Sequence, residues 1–184
     1  MTYNFGPAAP NEKIAFGASM AGLIHTSPIP DEIVTMWLRD MRKHGIQRVC
    51  CLLPTKQLDI YQSNLLNQYA DFFGPSNVCY APIPDFHLSD PQTLQKIILP
   101  FLEFSDQSGR PTVVHCAGGV GRTGHILAAW LVYGRKYTPL DALTAVTSTS
   151  ATRNPYEAIH FGNATLEQLR TLLDAAAKLS SNSS

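Results

Sequence analysis

Charge is scarce in this sequence. Charged residues make up 15% of the chain, against roughly 25% in typical globular domains. The 14 Lys and Arg residues balance the 14 Asp and Glu, and no run of basic residues occurs. A chain without a cationic stripe lacks the electrostatic footprint that nucleic acid requires. It equally lacks the polybasic patch that docks on anionic membranes. Neither partner is expected. Long apolar runs are also missing: none approaches the ~18 residues needed to span a bilayer. The first residues (Met1 to Asn11) are polar and hold Pro7 and Pro10, unlike the charged head and apolar run of a signal peptide. The cysteines are few, at 50, 51, 79 and 116, with no Cys-x-x-Cys pair, so no metal site is expected. Cys50, Cys51 and Cys79 lie in strand-like apolar runs and read as buried thiols of a reducing, cytoplasmic compartment.

What is present is an alternation of strand-like and helix-like segments. The 184 residues and 45% apolar content suit one core. Residues 1–12 are expected as a flexible lead-in, 13–179 as a single domain and 180–184 as a flexible tail. Strands are expected at 14–17, 46–53, 78–83 and 112–116. Helices are expected at 31–44, capped by Asp31, at 57–73, at 90–102 with a kink at Pro100, at 122–133, from 138, and at 163–179. The helix from 122 is apolar nearly all round, which places it at the centre. The fold class is therefore α/β, with a mostly parallel central sheet of about four to five strands flanked by helices.

One stretch concentrates chemistry. His115-Cys116-Ala117-Gly118-Gly119-Val120-Gly121-Arg122-Thr123-Gly124 runs from a β-branched strand into that central helix. A glycine-rich turn at a helix N-terminus gathers backbone N–H groups around one point, where an anion fits. Ala117, Gly118, Gly119, Val120 and Gly121 would form the cradle, and Arg122 would close it with a fork matched to two phosphate oxygens. Cys116 faces this clamp, and its positive surroundings favour the nucleophilic thiolate. Thr123 can donate a hydrogen bond to the sulfur. His115 can orient the loop; as a thiolate needs no base, it is not assigned that role. The chemistry this suits is transfer of a phosphoryl group to sulfur.

Breaking a P–O bond also needs a proton for the departing oxygen. Asp85, in Pro84-Asp85-Phe86-His87, follows a strand that should end on the same side of the sheet, where ligands of such folds bind. It lies 31 residues before Cys116. Asp90 is the alternative, although its place before Pro91 already accounts for it as a helix cap. His87 can assist. Arg153-Asn154-Pro155 reads as a polar turn, with a second anion contact as the other reading. A disulfide between Cys116 and Cys50, Cys51 or Cys79 under oxidation stays open.

The run His115 to Gly124 resembles the His-Cys-x2-Gly-x2-Arg-Ser/Thr-Gly signature of cysteine-dependent protein tyrosine and dual-specificity phosphatases. The upstream Pro84-Asp85 resembles their general-acid loop, and the strand–helix layout is similar to a small dual-specificity domain. The resemblance implies that Cys116 carries a phospho-intermediate, Arg122 binds phosphoryl oxygens and Asp85 acts as acid, then base, without cofactor or metal. It implies a phosphorylated protein or peptide as partner: phosphotyrosine, with phosphoserine and phosphothreonine open. The alternatives are a small non-protein phosphoester (an inositol phosphate, a lipid or an RNA 5′ end) and a non-catalytic phospho-binding module. Two departures stand out. The loop has no basic side chain before Arg122, unlike many inositol-lipid members, and the late glutamine of many relatives is not evident, Asn163 being a weak substitute better read as a cap.

Overall fold

The computed structural model describes residues 3–182. The central sheet has five strands: β1 (Gly6–Pro7), β2 (Ala15–Ser19), β3 (Arg48–Cys51), β4 (Val78–Tyr80) and β5 (Thr112–Cys116). They lie in the order β1-β2-β5-β3-β4. Only β1 runs antiparallel; β2, β3 and β4 are parallel to β5 or to one another. The α/β class and the mostly parallel sheet are as the alternation implies. In register, Cys116 is level with Ser19, and Cys51 with His115. The carboxyl ends of the parallel strands therefore share one edge, which fixes where a site can form.

Consecutive strand residues serve opposite faces. Val113, Val49 and Cys51 pack with Trp37 and Met41 of α1 (Asp31–Lys43) and with Tyr69 of α3 (Leu65–Phe73). Val114 and Cys50 pack on the other side, against α6 (Gly121–Arg135) and α9 (Leu166–Asn182). Each residue of α6 from Gly121 to Val132 is buried. The helix that carries the anion loop is thus the central one of its layer.

Several local expectations change. The helix expected over 57–73 is two, α2 (Thr55–Leu58) and α3. Between them Tyr61 bridges to Ile29, and Asn64 caps α3 by accepting from the Asn67 N–H. α1 is preceded by Pro30 as cap, with Asp31 in its first turn. The helix expected over 90–102 changes pitch just before Pro100: α4 (Pro91–Thr93) passes through a π-helical stretch, Leu94–Ile98, into α5 (Leu99–Gln107). α7 (Pro139–Ser148) is capped by Thr138, as expected.

The ends differ most. Residues 1–12 are built into the fold from Tyr3 onward: β1 pairs with β2, and Ala8 and Ala9 are buried. Met1 and Thr2 lie outside the described residues. In the tail, α9 continues to Asn182, and Ser180 is buried with its hydroxyl donating to the Tyr133 carbonyl at 2.6 Å. Residues 183–184 lie outside the described residues.

Candidate active site

β5 delivers Cys116 to the shared edge, 2% exposed, and the chain turns at once through the glycine loop into α6. The outer side of this loop is fully engaged. The Ala117 carbonyl accepts from the Met20 N–H, the Gly118 and Gly119 carbonyls both accept from Asn4 Nδ2 at 3.0 Å, and the Val120 carbonyl accepts from Gly124. With those carbonyls committed, the N–H groups of Gly118, Gly119 and Val120 are what the loop offers an anion, while the Gly121 N–H is held by Glu157. Gly119 adopts φ +68, and a Cβ there would lie 2.6 Å from the Ala18 backbone. Only glycine meets both conditions. Thr123 Oγ1 donates to Cys116 Sγ at 3.2 Å.

Arg122 is buried, and its fork turns to the mouth of the loop. Nη2 pairs with Asp85 Oδ1 at 2.7 Å, while Nη1 donates to Gln57 Oε1 at 2.9 Å and to the Ile83 carbonyl at 3.3 Å. Gln57 Nε2 in turn donates to Asp85 Oδ2 at 3.0 Å. Gln57 thus joins clamp and carboxylate, using the two opposite ends of one neutral amide. The fold brings Cys116, Arg122, Thr123 and Asp85 together. Asp90 lies elsewhere, capping α4 by accepting from the Thr93 N–H at 2.9 Å; hydrogen bonds from the Thr93 side chain and then its N–H hold the Asp90 carboxyl below the ordinary range.

The loop bearing Asp85 is held at several points. Phe86, at φ +58, stacks on Phe161 at 4.0 Å between centroids. Asn163 Nδ2 donates to the Phe86 carbonyl at 3.1 Å, so Asn163 is not the cap of α9. That role falls to Thr165, which exchanges reciprocal bonds with Gln168. His87 binds the Asp85 backbone carbonyl rather than its carboxylate. His125 accepts from the Ser89 N–H at 3.0 Å through Nε2, and its Nδ1 lies 3.0 Å from the Gly121 carbonyl. This buried ring ties the segment that follows Asp85 to the first turn of α6. Burial depresses its pKa to about 4.

His115 lies behind the loop, wholly buried beside Trp37 and Tyr69, with Nε2 3.1 Å from the Tyr69 hydroxyl. Burial lowers its pKa to about 3, so it is a neutral strut. Glu157, on α8 (Glu157–His160), accepts from the Gly121 N–H at 3.1 Å. Burial holds its carboxyl above the usual range; the nearby Asp85 charge pushes the same way, and the Gly121 bond opposes.

Arg153 corrects the polar-turn reading. It is buried beneath β2, donates to the Asn4 carbonyl at 2.5 Å, and feels the charge of Cys116. Its desolvation lowers its pKa to about 10. Among the described residues all four cysteines are free thiols, and no cluster suited to a metal occurs.

The family described as Tc-R-P, a polymorphic toxin system DSP-PTPase phosphatase, matches residues 24–136, more than half of the chain. The chain belongs to this family. It is a cysteine-dependent phosphatase of the tyrosine and dual-specificity superfamily. The Tc-R-P match takes in Gln57, Asp85 and the whole glycine loop, whereas Asn4, Arg153 and Glu157 fall outside it. Solved structures with the same fold include the active form of Tk-PTP (20% identity, TM-score 0.65, covering 93% of this chain and 99% of that one). PTPMT1 in complex with PI(5)P aligns at 11% identity and TM-score 0.69 over 98% and 99% of the two chains. Kinase associated phosphatase aligns at 19% identity and TM-score 0.68 over 90% and 87%. A curated relative, the uncharacterized protein MJECL20 of Methanocaldococcus jannaschii, is 39% identical over 62 residues. That match spans 34% of this chain and 42% of the relative.

Gln57, Glu157, Asn4 and His125 were not legible as site residues. Gln57 carried the one usable signal: it follows β3 on the edge where Cys116 and Asp85 also arrive.

Proposed function

We propose that this Tc-R-P phosphatase hydrolyses phosphotyrosine in proteins or peptides through a phosphocysteine intermediate. The carrying observation is the convergence of Cys116, Arg122 and Asp85 from three separate elements on one edge of the sheet. A phosphoryl group entering the loop takes over the N–H donors and the Arg122 fork, displacing the Asp85 carboxylate. The Cys116 thiolate attacks phosphorus and forms the S–P bond. The P–O bond to the leaving group breaks, and protonated Asp85 gives its proton to the departing oxygen. Asp85, now a carboxylate, takes a proton from water as that water attacks phosphorus. The S–P bond breaks, releasing phosphate and restoring the thiolate. N–H groups and Arg122 bear the charge on the equatorial oxygens through both steps. Gln57 keeps clamp and acid in register throughout.

A protein substrate is favoured over a polyphosphorylated lipid because Ala117 to Gly121 supply no cationic side chain for a second phosphate. The test is hydrolysis of an aryl phosphate by wild type, Cys116→Ser, Asp85→Ala and Asp90→Ala. Wild type should turn over, Cys116→Ser should not, and Asp85→Ala should lose about 10²–10⁴-fold. An inert wild type, or full activity in Cys116→Ser, sinks the proposal. Loss in Asp90→Ala with Asp85→Ala intact reassigns the acid. Competing phosphopeptides and phosphoinositide vesicles decide the substrate class.

A further inference from the structure

Beside the glycine loop lies a second cavity of about 470 Å³, within the range of small-ligand sites. Its walls include Tyr3, Leu23, Ile24, Ile33, Met36 and Val120. Gly118 and Val120 belong also to the anion loop, so the two sites share a wall. Three of the aliphatic side chains stand largely in water: Ile24 is 82% exposed, Met36 52% and Leu23 49%. Large apolar groups gathered at one exposed spot mark a binding surface. No lysine, arginine, aspartate or glutamate lines the cavity among the described residues; His25 is the one imidazole there. The carboxylates of the catalytic cleft, Asp85 and Glu157, are not among its walls.

We propose that this groove binds large aliphatic side chains flanking the phosphorylated residue of a peptide substrate, and so sets sequence preference. The inference rests on the phosphatase reading and names the kind of substrate. Continuity fixes the occupant: a chain whose phosphate sits in the loop must continue past its rim, and Val120 forms that rim on the groove side. Charge narrows it further. A bilayer-borne phosphoester arrives on an anionic surface and calls for lysine and arginine around the mouth, and these walls hold neither. An acidic flank would meet no fixed counter-charge there, whereas an aliphatic one would cover Ile24, Met36 and Leu23.

The test compares two phosphotyrosine peptides of equal length and charge, one with Leu and Ile flanks and one with Ser and Asn flanks. Wild type and the Ile24→Ser/Met36→Ser double variant are assayed on both, with a small aryl phosphate as reference. Both altered side chains are exposed, so the fold should tolerate the change. Wild type should prefer the aliphatic peptide by about tenfold or more in kcat/KM, mainly through KM. The double variant should lose that preference while its rate on the aryl phosphate stays unchanged. An active wild type without preference, or a double variant that keeps it, overturns this inference alone. Faster hydrolysis of a phosphomonoester lipid in neutral vesicles, abolished by the same variant, assigns the groove to acyl chains and overturns it too. A wild type inert on the aryl phosphate overturns the phosphatase reading, and this inference with it.

Discussion

Lowering the pH from 7 to 5 is expected to remove about 4 kcal/mol of stability through two histidines alone. His115 and His125 are both fully buried, and burial depresses their pKa values from 6.5 to about 3 and about 4. Their surroundings leave no room for charge: His115 lies against Trp37 and Tyr69, and His125 accepts a hydrogen bond that an imidazolium cannot accept. Between pH 6.5 and about 4 the unfolded chain binds both protons and the folded chain binds neither. Stability therefore rises with pH across that window, is complete above about 6.5 and falls below it. Each ring contributes about 1.4 kcal/mol per pH unit, and the pair acts over about 1.5 units down to pH 5. Glu157, with its carboxyl held above the usual range, works in the opposite sense just above that range and trims the loss. Urea unfolding at pH 7 and pH 5 measures the effect. In His125→Gln, whose amide oxygen can still accept from Ser89, the pH-dependent loss should fall by about half. Equal stability at the two pH values, or an undiminished loss in His125→Gln, refutes the argument. Ring-proton NMR gives a second readout, since neither histidine should titrate above pH 5.

Three further outcomes are expected. Gln57→Leu removes the bridge between Arg122 and Asp85 and should lower kcat/KM by about 10–100-fold. The loss should be larger for a phenyl phosphate with a poor leaving group than for a nitrophenyl one, because Asp85 matters most when the leaving oxygen needs a proton. Gly119→Ala places a Cβ against the Ala18 backbone at positive φ and should cost more than the ~1–2 kcal/mol of left-handed strain alone, read as a lower urea midpoint. Asn4→Ala strips two loop carbonyls of their donor and should cost about 1–3 kcal/mol, with weaker inhibition by inorganic phosphate.

Features whose cause is local were readable in the chain itself. The loop needs glycine where φ turns positive, and Gly119 supplies it. Thr138 and Asp90 cap because each is followed by proline and helix-forming residues. α6 is apolar all round because helices and sheet enclose it. Cys116, Arg122 and the threonine that touches the sulfur lie close together along the junction of strand and helix, so their spacing alone singles them out. Asp85 was reachable too, because parallel strands must end on a common edge. What tertiary structure alone decided are the contacts between segments far apart in sequence. Gln57 meets Arg122 across 65 positions, and Asn4 meets the loop across 114 and 115. Arg153 comes from a turn read chiefly as polar surface, and Glu157 from the short helix that follows it. The lead-in acquired structure for the same reason, as β1 has nothing to pair with until β2 is in place. Hydrogen bonds of this kind leave no periodicity in the sequence, since a single polar side chain needs only one partner and that partner is chosen by the fold.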